Sequence, residues 1–190
     1  VSIDFYFEGQ KNESFERKLV AFLEKVSSQF PWINEFHLEI HSSNTFPHSS
    51  GIASSASAFS ALSLCLCSLH EKITGRVPGR FFELASYWAR IGSGSACRSI
   101  YGGYNLWGRT KAWQGSSDEY AVNIDAAVHP DFHQFCDTIL IVERGSKAVS
   151  STQGHALLKQ HPFAELRYAE AGKNTARLLE ILKAGDIDDF

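Results

Sequence analysis

The chain has 190 residues, 44% of them hydrophobic and 21% charged, with a formal net charge of −3. So much apolar material with so little net charge excludes a disordered chain. With 18 basic against 21 acidic residues, nothing general draws it to nucleic acid or to an anionic membrane, so any anion it binds must be held by local groups.

Ile3, Phe5 and Phe7 alternate with polar residues and predict a strand. Gly9 to Asn12 reads as a turn. Phe15, Leu19, Phe22 and Val26 then fall at helical spacing, giving an amphipathic helix that stops before Pro31. Phe36, Leu38 and Ile40 alternate again and predict a second strand. A loop rich in Ser, Asn, Pro and Gly covers residues 42–51, and an uncharged helix is expected over about 54–69. The uncharged stretch from Ser49 to Leu69 is nearly long enough to cross a bilayer, but eight of its residues are serines, so it reads as a buried helix.

Residues 80–90 predict a further helix, ended near Gly92, and Ile100 to Trp107 reads as a strand with two glycines. Residues 108–136 are the least readable part. Thr138 to Val142 is an apolar strand pattern, and Phe163 to about Lys183 a helix ended by Gly185. Strands and helices alternate, so the class is α+β, with a domain boundary expected near residue 130. The chain has no Met and opens in mid-strand pattern, which predicts a piece of a longer protein. The four cysteines, Cys65, Cys67, Cys97 and Cys136, form no CxxC pair, which predicts free thiols without zinc and a cytoplasmic protein.

Three clusters of hydroxyls and small residues carry the functional signal. The first, from Ser42 to Ala56, joins a strand to a helix and includes Asn44, Gly51, Ala53, Ser54 and Ser55. Small residues let the backbone approach a ligand, and the first turn of the helix offers unpaired N–H groups and the positive end of its dipole. Such a place holds an anion without net positive charge. On these residues alone, a plain turn with Ser54 as helix cap and Gly51 merely turning the chain is the simpler reading.

The second cluster is Gly92-Ser93-Gly94-Ser95-Ala96-Cys97-Arg98-Ser99. The Arg98 guanidinium suits a carboxylate or phosphate, although an ion pair with a surface acid would explain it too. The third is Val149-Ser150-Ser151-Thr152-Gln153-Gly154. No Walker A ending, no complete dinucleotide fingerprint and no Gly-x-Ser-x-Gly elbow occurs.

Taken together, the clusters resemble a known family. Phe46-Pro47-x-x-x-Gly51-Ile52-Ala53-Ser54-Ser55-Ala56 resembles the phosphate loop of the GHMP kinase superfamily. Arg90-Ile91-Gly92-Ser93-Gly94-Ser95-Ala96-Cys97-Arg98-Ser99-Ile100-Tyr101-Gly102-Gly103 is similar to the signature of its diphosphomevalonate decarboxylase family, and Val149 to Gly154 matches a third segment in the same order.

The resemblance implies the latter part of a ribosomal protein S5 domain 2-like domain over residues 1–130, then the start of a ferredoxin-like GHMP C-terminal domain over 131–190. It implies ATP and Mg²⁺ as cofactors and mevalonate 5-diphosphate as substrate. Asn44, Gly51, Ala53, Ser54 and Ser55 would hold ATP, and the metal's own ligands are left open. Ser93, Gly94, Ser95, Ala96, Cys97 and Arg98 would bind substrate, with Ser151 and Thr152 on its diphosphate. Arg98 and Ser95 would act in catalysis, and the family's catalytic Asp is expected beyond Phe190. Asp118, Asp125 and Asp137 read as structural or surface acids, and Gly102 and Gly103 as structural. Family members are often dimers, which makes a homodimer the assembly to test.

Overall fold

The two alternating runs at the start of the chain become neighbouring strands. In the computed structural model, which describes residues 1–46, 52–76, 79–136, 138–140, 154 and 161–190, β1 (Ser2–Phe7) pairs in parallel with β3 (His37–Ser42), in register from Ser2 opposite His37 to Phe7 opposite Ser42. Parallel neighbours need a crossover, and α1 (Glu13–Val26) provides it. β2 (Gln10–Lys11) lies antiparallel on the other side of β1, so the sheet order is β2-β1-β3. The two-residue connection Glu8-Gly9 has positive φ at both positions, the backbone twist that tight hairpins favour. The turn expected over residues 9–12 is therefore partly a short strand.

α1 is capped by Asn12, whose side chain accepts from the Phe15 N–H, and its apolar stripe of Leu19, Phe22, Leu23 and Val26 is buried. Phe15 meets Phe5 and Phe7 of β1, while Phe22 meets Phe59 with ring centres 5.1 Å apart. A 3₁₀ turn at Pro31–Asn34 buries Trp32 and Ile33. Phe30 packs against Trp88, tying this turn to the later helices.

The uncharged helix α2 (Ser54–Thr74) runs longer than the sequence pattern suggests and ends at Gly75 in the left-handed conformation. Its buried face is Ala56, Ser60, Ser63, Leu66 and Cys67. α3 (Phe81–Gly92) buries Ala85, Ser86, Trp88 and Ala89. The small side chains on both faces allow close approach of the two backbones. Among the described residues, no helix is long and apolar enough to cross a membrane.

The expected strand over 100–107 is corrected. Gly94–Ile100 forms a 3₁₀ helix that buries Ala96, Cys97 and Ile100, and only Asn105–Trp107 extends as β4. Gly103, with φ of +66°, turns the chain between them. β4 pairs antiparallel with β5 (Ala121–Asn123), a strand that the sequence pattern left unread. The apolar pattern at 138–142 does not produce a strand at residues 138–140; 141 and 142 lie outside the described residues. The last helix, α4 (Ala164–Ala184), ends at Gly185 as expected.

The described residues divide into two compact units, one of those before Tyr101 and one of those from Tyr101 onward. The core of the second is Leu106, Ile124, Val128, Phe132, Leu179, Ile181 and Leu182. Class and content are those of a mixed α+β protein.

Candidate functional site

The site is built at the start of α2. Ala53 precedes the helix at φ 55° and ψ 36°, a left-handed conformation uncommon for a residue with a Cβ. Its carbonyl already accepts from the N–H groups of Ala56 and Ser57, at 2.9 and 3.2 Å. The cap position falls on Ala53, whose methyl group cannot cap, and Ser54 is the first residue of the helix itself, so the reading of Ser54 as a mere cap gives way. Among the described residues, the Ser54 and Ser55 N–H groups are the ones left for an acceptor brought from outside. Ser54 is half-buried and Ser55 exposed.

The second cluster arrives at the same place. The Ser55 hydroxyl lies 3.4 Å from that of Ser93, across 38 positions of sequence. Ser93 follows Gly92 at the end of α3 and donates its N–H to Ala89 at 2.9 Å. Ala96 donates to the Ser93 carbonyl at 2.8 Å, which starts the 3₁₀ helix. Thus the hydroxyl-rich ends of α2 and α3 face each other.

Within that 3₁₀ helix the candidate residues separate into two sets. Gly94 and Arg98 are exposed and Ser95 is half-buried. Among the described residues Arg98 forms no ion pair, so the surface-acid alternative finds no partner there. Ala96 and Cys97 are fully buried. Any contact of these two with a ligand would be made by their backbone. Burial pushes the Cys97 thiol up to about 11, the neighbouring Arg98 charge offsetting only part of the effect. A thiol so held stays protonated and is no nucleophile.

Asn44 is placed differently. Its backbone N–H is taken by the Glu8 carboxylate at 2.7 Å, which ties it to the β1–β2 turn. Gly51, Ser151 and Thr152 lie outside the described residues, as does Asp137. The other two acids are structural. Asp118 accepts from the Arg109 N–H at 2.7 Å, and Asp125 from the Tyr104 N–H at 2.9 Å.

Two residues packed beside these candidates escape sequence reading. Phe59 stands one turn after Ser55 on α2 and fills the space beside Gly92. Ser86, fully buried on α3, donates to the Cys97 carbonyl at 2.8 Å. The available signal for Ser86 was a hydroxyl on the Ala85–Ala89 face of an apolar helix.

The model of the diphosphomevalonate decarboxylase-like N-terminal domain matches residues 2–121. The chain belongs to this family. The diphosphomevalonate decarboxylase of Saccharomyces cerevisiae is 39% identical over 141 residues, which are 74% of this chain and 33% of that protein. That of Gibberella zeae is 37% identical over 172 residues, 90% of this chain and 43% of the relative. The chain thus spans well under half the length of these curated relatives.

Among solved structures, the mevalonate diphosphate decarboxylase from Staphylococcus aureus matches with a TM-score of 0.73 at 28% identity, covering 98% of this chain and 53% of that one. The enzyme from Legionella pneumophila matches at 0.72 and 27%, covering 97% and 55%. A structure of MDDEF in complex with MVAPP, AMPPCP and magnesium matches at 0.71 and 27%, covering 98% and 54%. Decarboxylase-family membership therefore rests on sequence and fold together.

Proposed function

We propose that this chain forms the phosphate- and substrate-facing part of an ATP-dependent decarboxylase that converts mevalonate 5-diphosphate to isopentenyl diphosphate, ADP, phosphate and CO₂. The observation that carries the reading is the meeting of Ser55 and Ser93 at 3.4 Å. It brings a helix N-terminus and the Ser93–Arg98 segment, two devices suited to anions from separate motifs, to one place. Such a place suits a reaction that must hold a nucleotide phosphate beside a phosphorylated acid.

The chemistry explains the two kinds of group. A tertiary hydroxyl is a poor leaving group until ATP, carried with Mg²⁺, phosphorylates it. Phosphate then departs with the C–O electron pair, and the electrons of the carbon–carboxylate bond form the double bond as CO₂ is lost. Protein residues contribute mainly position and charge. In this reading the α2 N–H groups, with Ser54 and Ser55, hold the nucleotide phosphates. A serine hydroxyl fits Mg²⁺ as a hard oxygen ligand, the remaining ligands being phosphate and water. Ser93, Ser95 and Arg98 hold the substrate's anionic groups, and Ser151 and Thr152 add contacts to its diphosphate. The organisation we propose is an S5 domain 2-like region to about residue 130, followed by the opening of a GHMP C-terminal domain.

The relatives' printed names and the complex with MVAPP and AMPPCP support this substrate pair. The second reading is a superfamily kinase, or a decarboxylase for another phosphorylation state of mevalonate, since the loops recognise phosphate generally. Full-length polypeptide carrying this sequence, incubated with MgATP and mevalonate 5-diphosphate, is expected to release CO₂ in step with ADP. ADP without CO₂ would assign it to the kinases. Arg98→Ala is expected to lower kcat/KM at least about tenfold, some 1.4 kcal/mol of transition-state stabilisation.

A further inference from the structure

We propose that Ser86 is a positioning residue for Arg98. The inference rests on the role given to Arg98 above and extends it to a side chain that touches no ligand.

The segment that carries Arg98 is a 3₁₀ helix, Gly94–Ile100. Such helices have poorer hydrogen-bond geometry than α-helices and are rarely this long without support. Support comes from below. Ala96 and Cys97 are sunk to 0% exposure, and Ser86, also at 0%, reaches from α3 to donate its hydroxyl hydrogen to the Cys97 carbonyl at 2.8 Å. That carbonyl belongs to the peptide group joining Cys97 to Arg98. A peptide group is planar, so fixing its oxygen fixes the plane from which the Arg98 Cα departs. The Cys97 thiol, turned to the Gly94 carbonyl at 3.1 Å, keeps the same turn closed from the other side.

The hydroxyl is not needed to fill space. α3 presents Ala85 and Ala89 on the same buried face, and an alanine at 86 would leave the helix contact largely intact. What the oxygen adds is direction. Arg98 itself is exposed, with a long flexible side chain. Its aim therefore depends on the backbone beneath it, and small misplacements of a charged group at a reacting centre are costly in rate.

The test uses the full-length polypeptide carrying this sequence, with mevalonate 5-diphosphate and saturating MgATP. Four forms are compared: wild type, Ser86→Ala, Arg98→Ala and the double variant, with Ser86→Cys as a near-isosteric weak donor should the alanine form fold poorly. Ser86→Ala is expected to lower kcat/KM about tenfold in the wild-type background and less than about threefold when Arg98 is already alanine, the non-additivity of residues that act as a unit. Ser86→Cys is expected to fall between. Amide hydrogen exchange at residues 97–100 is expected to speed up in Ser86→Ala while the melting temperature stays well above that of the assay. Equal losses in both backgrounds, or unchanged exchange at 97–100, overturn the assignment of Ser86. A wild type without decarboxylation, or a mild Arg98→Ala, overturns the reading of the site instead; the exchange measurement judges the Ser86 tether separately from that result.

Discussion

The ring of Phe59 occupies the space that a side chain on Gly92 would need. A Cβ built on Gly92 would come within 2.8 Å of Phe59 Cε1 and closer still to Cγ and Cδ1. Phe59 follows Ser55 by one helical turn, and Ser93 follows Gly92. The same two stretches of chain therefore touch twice, once through a ring against bare backbone and once through two hydroxyls. The apolar contact sets how near the polar one can be.

Gly92→Ala is accordingly expected to destabilise the first unit by about 1–3 kcal/mol through overpacking. Replacing Phe59 by leucine in the same chain should recover part of that loss. The denaturant midpoints of the two single variants and the double variant measure it. An alanine variant as stable as wild type would show that the ring yields freely.

Gly103 faces a different obstacle. Its φ is +66°, and a Cβ there would collide with Asp125 Oδ1, the atom that accepts the Tyr104 N–H. Gly103→Ala combines left-handed strain, about 1–2 kcal/mol, with the loss of that hydrogen bond. It should lower the stability of the second unit more than Asp125→Ala, which removes the acceptor alone. Thermal unfolding of the two variants side by side gives the order.

The four thiols should divide by burial. Cys65 and Cys136 are exposed, while Cys67 and Cys97 are buried, their thiols pushed up to about 11 by that burial. Iodoacetamide at neutral pH is expected to label the first pair and spare the second, as peptide mass mapping would show.

Those raised thiols also predict an alkaline limit. A folded pKa above the ordinary 9.0 means that the folded state binds more protons than the unfolded state in between. Their contribution is whole below about pH 9 and is lost as pH rises toward 11. The denaturant midpoint should fall over that window, and less steeply in a Cys97→Ala variant compared with its own value at pH 8.

The chain covers 33% and 43% of the two curated relatives described above. Purified as 190 residues, it is expected to give no isopentenyl diphosphate from ATP and mevalonate 5-diphosphate. Product from this piece alone would place every reacting group within it.

Much of this was legible because it is local. Alternation at Ile3, Phe5 and Phe7, the stripe from Phe15 to Val26 and the glycine after each of the two long helices each state their own structure. The Phe46–Ala56 and Arg90–Gly103 stretches were legible as family motifs, since their residue types are restricted over a few neighbouring positions. What failed was what depends on the rest of the fold. Ile100 joined a buried 3₁₀ helix because the small face of α3 accepts Ala96 and Cys97 there. The burial of the Cys97 side chain likewise follows from the elements packed around it and not from the motif that contains it. Phe59 and Ser86 gave no motif, because a ring beside a glycine and a hydroxyl beneath a carbonyl gain their meaning only from segments brought together by folding.

Ala53 bears on the chain before folding as well as after it. In the left-handed region, alanine carries steric strain that glycine would escape. Glycine, however, explores many more backbone states when unfolded, and ordering it costs about 0.5–1 kcal/mol more. The two effects oppose each other at one residue. At positive φ the strain is the larger of the two, so Ala53→Gly should stabilise the fold by up to about 1 kcal/mol while widening the backbone freedom of the unfolded chain. Alanine at this turn thus gives up some folded-state stability for a more restricted unfolded chain.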